Sequence, residues 1–313
     1  MAPRKIIIDT DPGQDDAAAL LLALSSPADL EVVAITTVAG NVPLSLTTRN
    51  ARVVCEVAGR REVKVYAGCD RPLKRQLVTA EHVHGKTGLD GFEVDEPTMP
   101  VEAAHAVDFL IETLRAAEPG EITLCTLGAL TNIATALEKA PDIAPRIREL
   151  VMMGGGFFEG GNITPAAEFN IYVDPDAAEI VFKSGIPIVM MPLDVTHRVL
   201  TLKRRVDRFR AMGTRVGDAM AGWLDFFERF DVEKYGSDGG PLHDPTVIAY
   251  LLRPELFSGR ACNVEIETLS PLTVGMTVVD WWQVTGRPHN AHVMREIDAE
   301  GFFELLTERL ARF

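Results

Sequence analysis

Eight residues near the amino end of this 313-residue chain, Asp9-Thr10-Asp11-Pro12-Gly13-Gln14-Asp15-Asp16, carry four carboxylates. They stand where an apolar strand, Ile6-Ile7-Ile8, gives way to an Ala/Leu-rich helix. Four negative charges so close together repel one another and, if buried alone, take up protons, so a positive partner is expected among them. Every ligand on offer is an oxygen, and the run holds no His or Cys. That chemistry suits a hard divalent cation, calcium or magnesium, better than zinc or copper. Asp residues also cap helix N-termini, but capping uses one or two carboxylates rather than four.

A chain with 47% hydrophobic residues can bury a large core, and no Pro/Gly/Ser linker, low-complexity tract or internal repeat divides it. One domain over residues 1–313 is therefore expected. The net charge of −14 has no compensating Lys/Arg stripe, which argues against nucleic acid and anionic membrane as partners and for a small, weakly charged substrate. Met1-Ala2-Pro3-Arg4-Lys5 runs straight into a strand without a signal-peptide pattern, and no apolar run reaches membrane-spanning length. Cys55, Cys69, Cys125 and Cys262 lack the paired spacing of a zinc or redox site. These features predict a cytoplasmic protein with free thiols.

Short β-branched runs alternate with helix-period segments, the pattern of parallel strands joined by crossover helices. Strands are predicted at residues 6–8, 32–38, 63–66, 122–127, 150–153 and 186–191, and helices at about 15–24, 43–58, 102–117, 131–139, 174–184 and 246–252. The expected fold is α/β, an open, doubly wound, mostly parallel sheet flanked by helices. In such sheets ligands sit beyond the carboxyl ends of the strands. Asp9 and Asp11, Gly40-Asn41, Leu127-Gly128 and Met153-Gly154-Gly155-Gly156 all fall there.

The glycine run has neither a Gly-x-Gly-x-x-Gly helix opening nor a Gly-Lys-Ser/Thr ending, so it reads as a tight turn rather than a phosphate loop. Glu168 and Asn170 bracket Phe169 in a segment read as extended, which puts the two polar groups on one side and the ring on the other. The pair suits either sugar hydroxyls or an ordinary polar strand face. Asp244 stands where a helix N-cap would, and His243 alone reads equally well as a loop histidine.

Taken together, Asp9-Thr10-Asp11-Pro12-Gly13-Gln14-Asp15-Asp16-Ala17, Ala34 to Asn41, Leu127 to Asn132, Met153 to Gly156, Ala167-Glu168-Phe169-Asn170 and His243-Asp244-Pro245 occur in the order found in one known family. Over essentially its whole length the chain resembles the inosine-uridine-preferring nucleoside hydrolases. The resemblance implies a calcium site at the bottom of a ribose pocket, with carboxylates from Asp11, Asp16 and Asp244 and the main-chain oxygen of Leu127. It implies hydrolysis of the N-glycosidic bond of ribonucleosides to ribose and a free base, with Asp11 as general base on a metal-bound water. Asp15, Asn41, Asn162, Glu168 and Asn170 are then expected to hold the ribose hydroxyls, with Met153 against the sugar. His243 is the expected proton donor to, or orienter of, the departing base, and His84 matches a family histidine near the nucleobase.

A helical and loop insertion at about 200–242 is expected to shape the base pocket, with Tyr235 contributing an aromatic face. His82 is expected at the surface and Trp223 in the core. Family resemblance also implies a homodimer or homotetramer, with Trp281-Trp282 either at an interface or buried. Two other readings compete. A phosphatase also begins with aspartates after a first strand, but Asp15-Asp16 and His243-Asp244 have no place in its chemistry. A non-catalytic calcium- or ribose-binding protein of the same fold would bind nucleosides without forming ribose.

Overall fold

The computed structural model describes residues 2–313, apart from the side chains of Asp231 and Tyr235. Its strands are β1 (Arg4–Thr10), β2 (Leu30–Thr37), β3 (Val65–Ala67), β4 (Ile122–Thr126), β5 (Ile147–Met153), β6 (Ile188–Met191), β7 (Phe257–Cys262), β8 (Val264–Ile266), β9 (Thr277–Val279) and β10 (Ala291–Ile297). The amino-terminal half carries helices α1 (Gln14–Leu24), α2 (Leu44–Val57), α3 (Glu81–His84), α4 (Ala106–Ala116) and α5 (Thr131–Lys139). The remainder carries α6 (Phe169–Val173), α7 (Pro175–Lys183), α8 (Leu193–Thr196), α9 (Lys203–Arg210), α10 (Arg215–Tyr235), α11 (Pro245–Leu252) and α12 (Ala299–Leu310).

Eight strands form one sheet in the order β3-β2-β1-β4-β5-β6-β10-β7, parallel throughout except for the antiparallel edge pair β10 and β7. After β1 the chain winds outward through β2 and β3, then returns to β4 on the other side of β1. Strand order therefore reverses between β1 and β4, and a crevice opens at their carboxyl ends. Asp11 and Gly128 lie just beyond those two ends.

Strand alternation distributes β1 between two apolar layers. Ile6 and Ile8 pack with α1, α2, α11 and α12, whereas Ile7 packs with α4, α5 and α7. All eleven residues of α1 are buried, so it is a helix with no solvent face, apolar on all sides except its acidic first turn. That first turn is thereby fixed at the centre of the molecule.

The predicted strands and helices lie where the pattern put them, with shifts of a few residues. The helix expected from 102 starts at Ala106, because His105 caps it by accepting the Val107 N–H and Glu102 pairs with Tyr66 at the sheet edge. Beyond residue 253 no strand or helix was expected, yet β7 to β10 and α12 lie there. The segment read as extended around Glu168 is instead α6. The Glu168 carboxylate accepts the N–H groups of Asn170 and Ile171 and so caps a turn of helix that the β-branched and aromatic neighbours had disguised as a strand. Trp223 is fully buried, as expected, with Phe92 edge-on at 6.2 Å. Of the two tryptophans in tandem, Trp281 is buried and Trp282 is exposed. Among the described residues no helix is long and apolar enough to cross a membrane, and the four cysteines are free.

Replacing Trp223 by Ala should lower the free energy of unfolding by about 3–5 kcal/mol through the cavity it leaves. Equilibrium urea denaturation reads this as a lower midpoint at unchanged slope; a change under about 1 kcal/mol would mean that α10 is not held by this side chain.

Candidate active site

Asp11 emerges from the end of β1 into a slot cut by two other strand ends. A Cβ on Gly40 would lie 2.0 Å from Asp11 Oδ2, and one on Gly128 would lie 2.2 Å from Oδ1. Only glycine leaves room at these two positions, so the carboxylate is pinched between the turns after β2 and β4. Its Oδ2 accepts the Asn41 N–H at 2.7 Å, and its Oδ1 is buried with no partner among the described residues.

Asp16 is the most fully satisfied of the group. It accepts from the Thr10 hydroxyl at 2.5 Å, the Gly13 N–H at 2.9 Å, the Asn41 amide at 3.2 Å and the Asp11 N–H at 3.3 Å. Asp15, one residue earlier, faces the cavity and leaves Oδ1 buried and unpartnered. Asp244 occupies the N-cap position of α11 but makes no capping hydrogen bond. Its carboxylate turns instead toward the other acids, and one oxygen each from Asp15, Asp16 and Asp244 lie within 4.8 Å of one another. The capping explanation of Asp244 therefore fails.

Burial sets the electrostatics. Asp11, Asp15 and Asp244 are held well above the usual carboxylate range, first by desolvation and then by one another's charge and that of Asp16. Asp16 is raised less, because its hydrogen bonds offset part of the desolvation. A cluster of this kind is stable with extra protons or with a cation. Unpartnered oxygens on Asp11 and Asp15, beside an all-oxygen donor set, fit a cation.

Above the acids lies a cavity of about 380 Å³, lined by Asp15, Asn41, His84, Leu127, Met153, Asn162, Glu168, Asn170, His243 and Asp244 among others. These residues come from seven separate stretches of chain, and each had been singled out in the sequence. Asn170 donates to the carbonyls of Leu127 at 2.7 Å and Met153 at 3.3 Å, tying the ends of β4 and β5 together. Glu168 accepts from Gly155 N–H at 2.8 Å as well as capping α6, and burial pushes it up to about 7. Asn162 Oδ1 accepts the Phe169 N–H. Phe169 was expected to face away from Glu168 and Asn170; the helical turn brings it to the cavity wall instead.

The other end of the cavity is aromatic. His82, expected at the surface, is exposed yet lines the cavity, with Phe230 edge-on at 5.5 Å. Phe227 stacks on His84 at 5.6 Å, and His197 lies 5.9 Å from His243. Phe227, Phe230 and His197 were missed in the sequence. Phe227 and Phe230 lie on α10, where a ring on the apolar face reads as core, and His197 is the C-cap residue of the four-residue α8, too short to show a period. The Tyr235 side chain lies outside the described residues. Burial pushes both His84 and His243 down to about 3, assisted by neighbouring histidines, so both are neutral.

A family model described as inosine-uridine preferring nucleoside hydrolase matches residues 6–304. An uncharacterized protein of Schizosaccharomyces pombe is 56% identical over 308 residues, covering 98% of this chain and 99% of its own. A pyrimidine-specific ribonucleoside hydrolase RihA of Enterobacter sp. is 48% identical over 309 residues, covering 98% of each. Among solved structures, a plant nucleoside hydrolase superposes with a TM-score of 0.92 at 34% identity, covering 99% of both chains.

The raised carboxyls make metal-free stability depend on pH with a definite sign. Folding raises their affinity for protons, so the folded state holds more protons than the unfolded chain and stability falls as pH rises. Below about pH 6.5 the depressed histidines act in the opposite sense; above it Asp9 and Glu168, each raised to about 7 by burial, and the thiols of Cys55 and Cys69, also raised by burial, add to the fall in the same sense. With a chelator present, the thermal midpoint should fall as pH rises above neutrality, because Asp11, Asp15 and Asp244 are among the groups forced to ionise, and a saturating divalent cation should reduce that slope. A midpoint that rises with pH in chelator would contradict the assignment.

Proposed function

Because the chain belongs to the inosine-uridine preferring nucleoside hydrolase family, hydrolyses the N-glycosidic bond of ribonucleosides as its members do, and so ranks among the N-glycosyl hydrolases, we propose that its substrates are pyrimidine ribonucleosides and its cofactor is Ca²⁺. The observation that carries this reading is the convergence of four buried aspartates, two with unpartnered oxygens, on the floor of a cavity whose far end is aromatic. The pyrimidine preference is supported by the 48% identity to the pyrimidine-specific hydrolase.

Asp11, Asp16, Asp244 and the Leu127 carbonyl would hold the cation, with Asp15 within reach of the same point. When bound, such an ion supplies a water of lowered pKa and two places for vicinal hydroxyls. Asp11 is the general base: it is clamped in one orientation by Gly40 and Gly128, and its free Oδ1 can take a proton. Asp15, Asn41, Asn162, Glu168 and Asn170 hold the ribose, and Met153 packs on the sugar. Several of these are already tied to backbone groups, so their geometry is fixed before substrate arrives, as stabilising an oxocarbenium-like transition state requires. The aromatic end, built partly by α10, receives the base, and His243 serves the departing base. We place the protein in the cytoplasm as a single-domain homodimer or homotetramer, with residues of about 200–242 inserted to shape the base pocket.

Purified protein with Ca²⁺ should release ribose from uridine and cytidine faster than from inosine; nucleoside binding with no ribose formed would favour the non-catalytic reading instead. Stringent chelation should abolish turnover, and Asp11→Ala should reduce kcat roughly a thousandfold or more while the protein stays folded. A 2′-deoxyribonucleoside should react at least roughly a hundredfold more slowly than its ribonucleoside, since it leaves buried polar groups unpaired; equal rates would remove the ribose assignment.

A further inference from the structure

Gln14 sits inside the acidic motif yet takes no part in the carboxylate cluster. It is fully buried. Its Nε2 lies 2.9 Å from the His84 carbonyl oxygen and 3.0 Å from that of Asp90. Carbonyl oxygens only accept, so both must face the NH₂ group, and the orientation of the amide is thereby fixed. Oε1 then points the other way, 2.8 Å from His84 Nδ1. That oxygen has only lone pairs to offer, so Nδ1 must carry the hydrogen.

A neutral imidazole has one N–H, and burial keeps His84 neutral. Its Nε2 is therefore left with a bare lone pair. The ring edge bearing Nδ1 is seated against Gly13, where a Cβ would lie 2.4 Å from that nitrogen. The ring itself lines the cavity beside Phe227, at the aromatic end, and Nε2 makes no hydrogen bond among the described residues. His243 differs: its Nδ1 faces the Thr196 hydroxyl at 2.7 Å, a group that donates or accepts, so no tautomer is imposed.

We propose that Gln14 is a positioning residue that locks His84 as the Nδ1–H tautomer, so that His84 Nε2 accepts a hydrogen bond from the imide N–H of a uracil-type base and gives no proton to the departing base. The base in this statement rests on the ribonucleoside reading above; the tautomer does not. In protein labelled with ¹⁵N-histidine, two-bond ¹H–¹⁵N correlation spectra of the resting enzyme, with His84 identified through His84→Gln, should show a protonated Nδ1 and an unprotonated Nε2. The opposite pattern overturns the proposal whether or not the protein is a hydrolase. In turnover, N3-methyluridine should lose roughly tenfold or more in kcat/KM against uridine. The Gln14→Met variant should shift His84 toward a tautomer mixture and narrow that ratio. Equal cleavage of the two nucleosides by the wild type, or an unchanged ratio together with an unchanged tautomer in Gln14→Met, overturns the assigned role.

Discussion

Repulsion among buried carboxylates is the constraint around which the structure is arranged. Asp11, Asp15, Asp16 and Asp244 are all nearly inaccessible, and isolated charges there would cost several kcal/mol each. The fold meets this in part with donors: Thr10, the Gly13 and Asn41 N–H groups and the Asn41 amide all point at Asp11 or Asp16. Two oxygens, on Asp11 and Asp15, receive none. Those two sit where the chemistry of the family demands a cation, while Asp9 Oδ2, outside the cluster, is likewise buried without a partner among the described residues, and burial raises Asp9 to about 7.

A further buried aspartate, Asp9, braces this arrangement. Asp9 points to the opposite face of β1 from Ile8, where its Oδ1 accepts from the Thr36 hydroxyl at 2.5 Å and the Asn132 amide at 2.7 Å. Asn132 also donates to the Thr37 carbonyl and accepts the Cys69 N–H. One carboxylate and one amide thus tie together β1, β2, the segment after β3, and α5. Loss of that tie would let the turns bearing Gly40 and Gly128 drift apart, and those turns hold Asp11.

Much of this was legible in the sequence because the relevant information is local. The acidic motif, the strand-end glycines and the Val/Ile-rich runs are each visible in the sequence, and the cavity gathers Asn41, Leu127 and Met153 as the parallel-sheet rule requires; that Asp15, Asn170 and Asp244 join them was implied by the family resemblance. What escaped depends on tertiary context. The helical turn at Phe169–Val173 exists because Glu168 caps it, against the local propensity of Ile171, Tyr172 and Val173. Of the strands after residue 253, β8 and β9 are three residues long and β7 is at the sheet edge, buried only at its two ends, whereas the seven-residue β10 lies inside the sheet between β6 and β7 and was missed all the same. Phe227 and Phe230 look like core residues of α10, and nothing in their spacing says that a cavity opens beside them.

The wholly buried α1 has a consequence for how such a pocket can change. Its first turn carries Asp15 and Asp16, and its remaining residues are shared with α2, α10, α11 and α12 as common core. Any substitution that moves the acids must also disturb close-packed neighbours, so the floor of the pocket is mechanically stiff and intolerant. The opposite wall, with exposed His82 and half-buried His197 and Phe230, carries no such burden. On the proposed placement of sugar and base, a protein built in this way can revise which base it admits without revising how it grips the sugar.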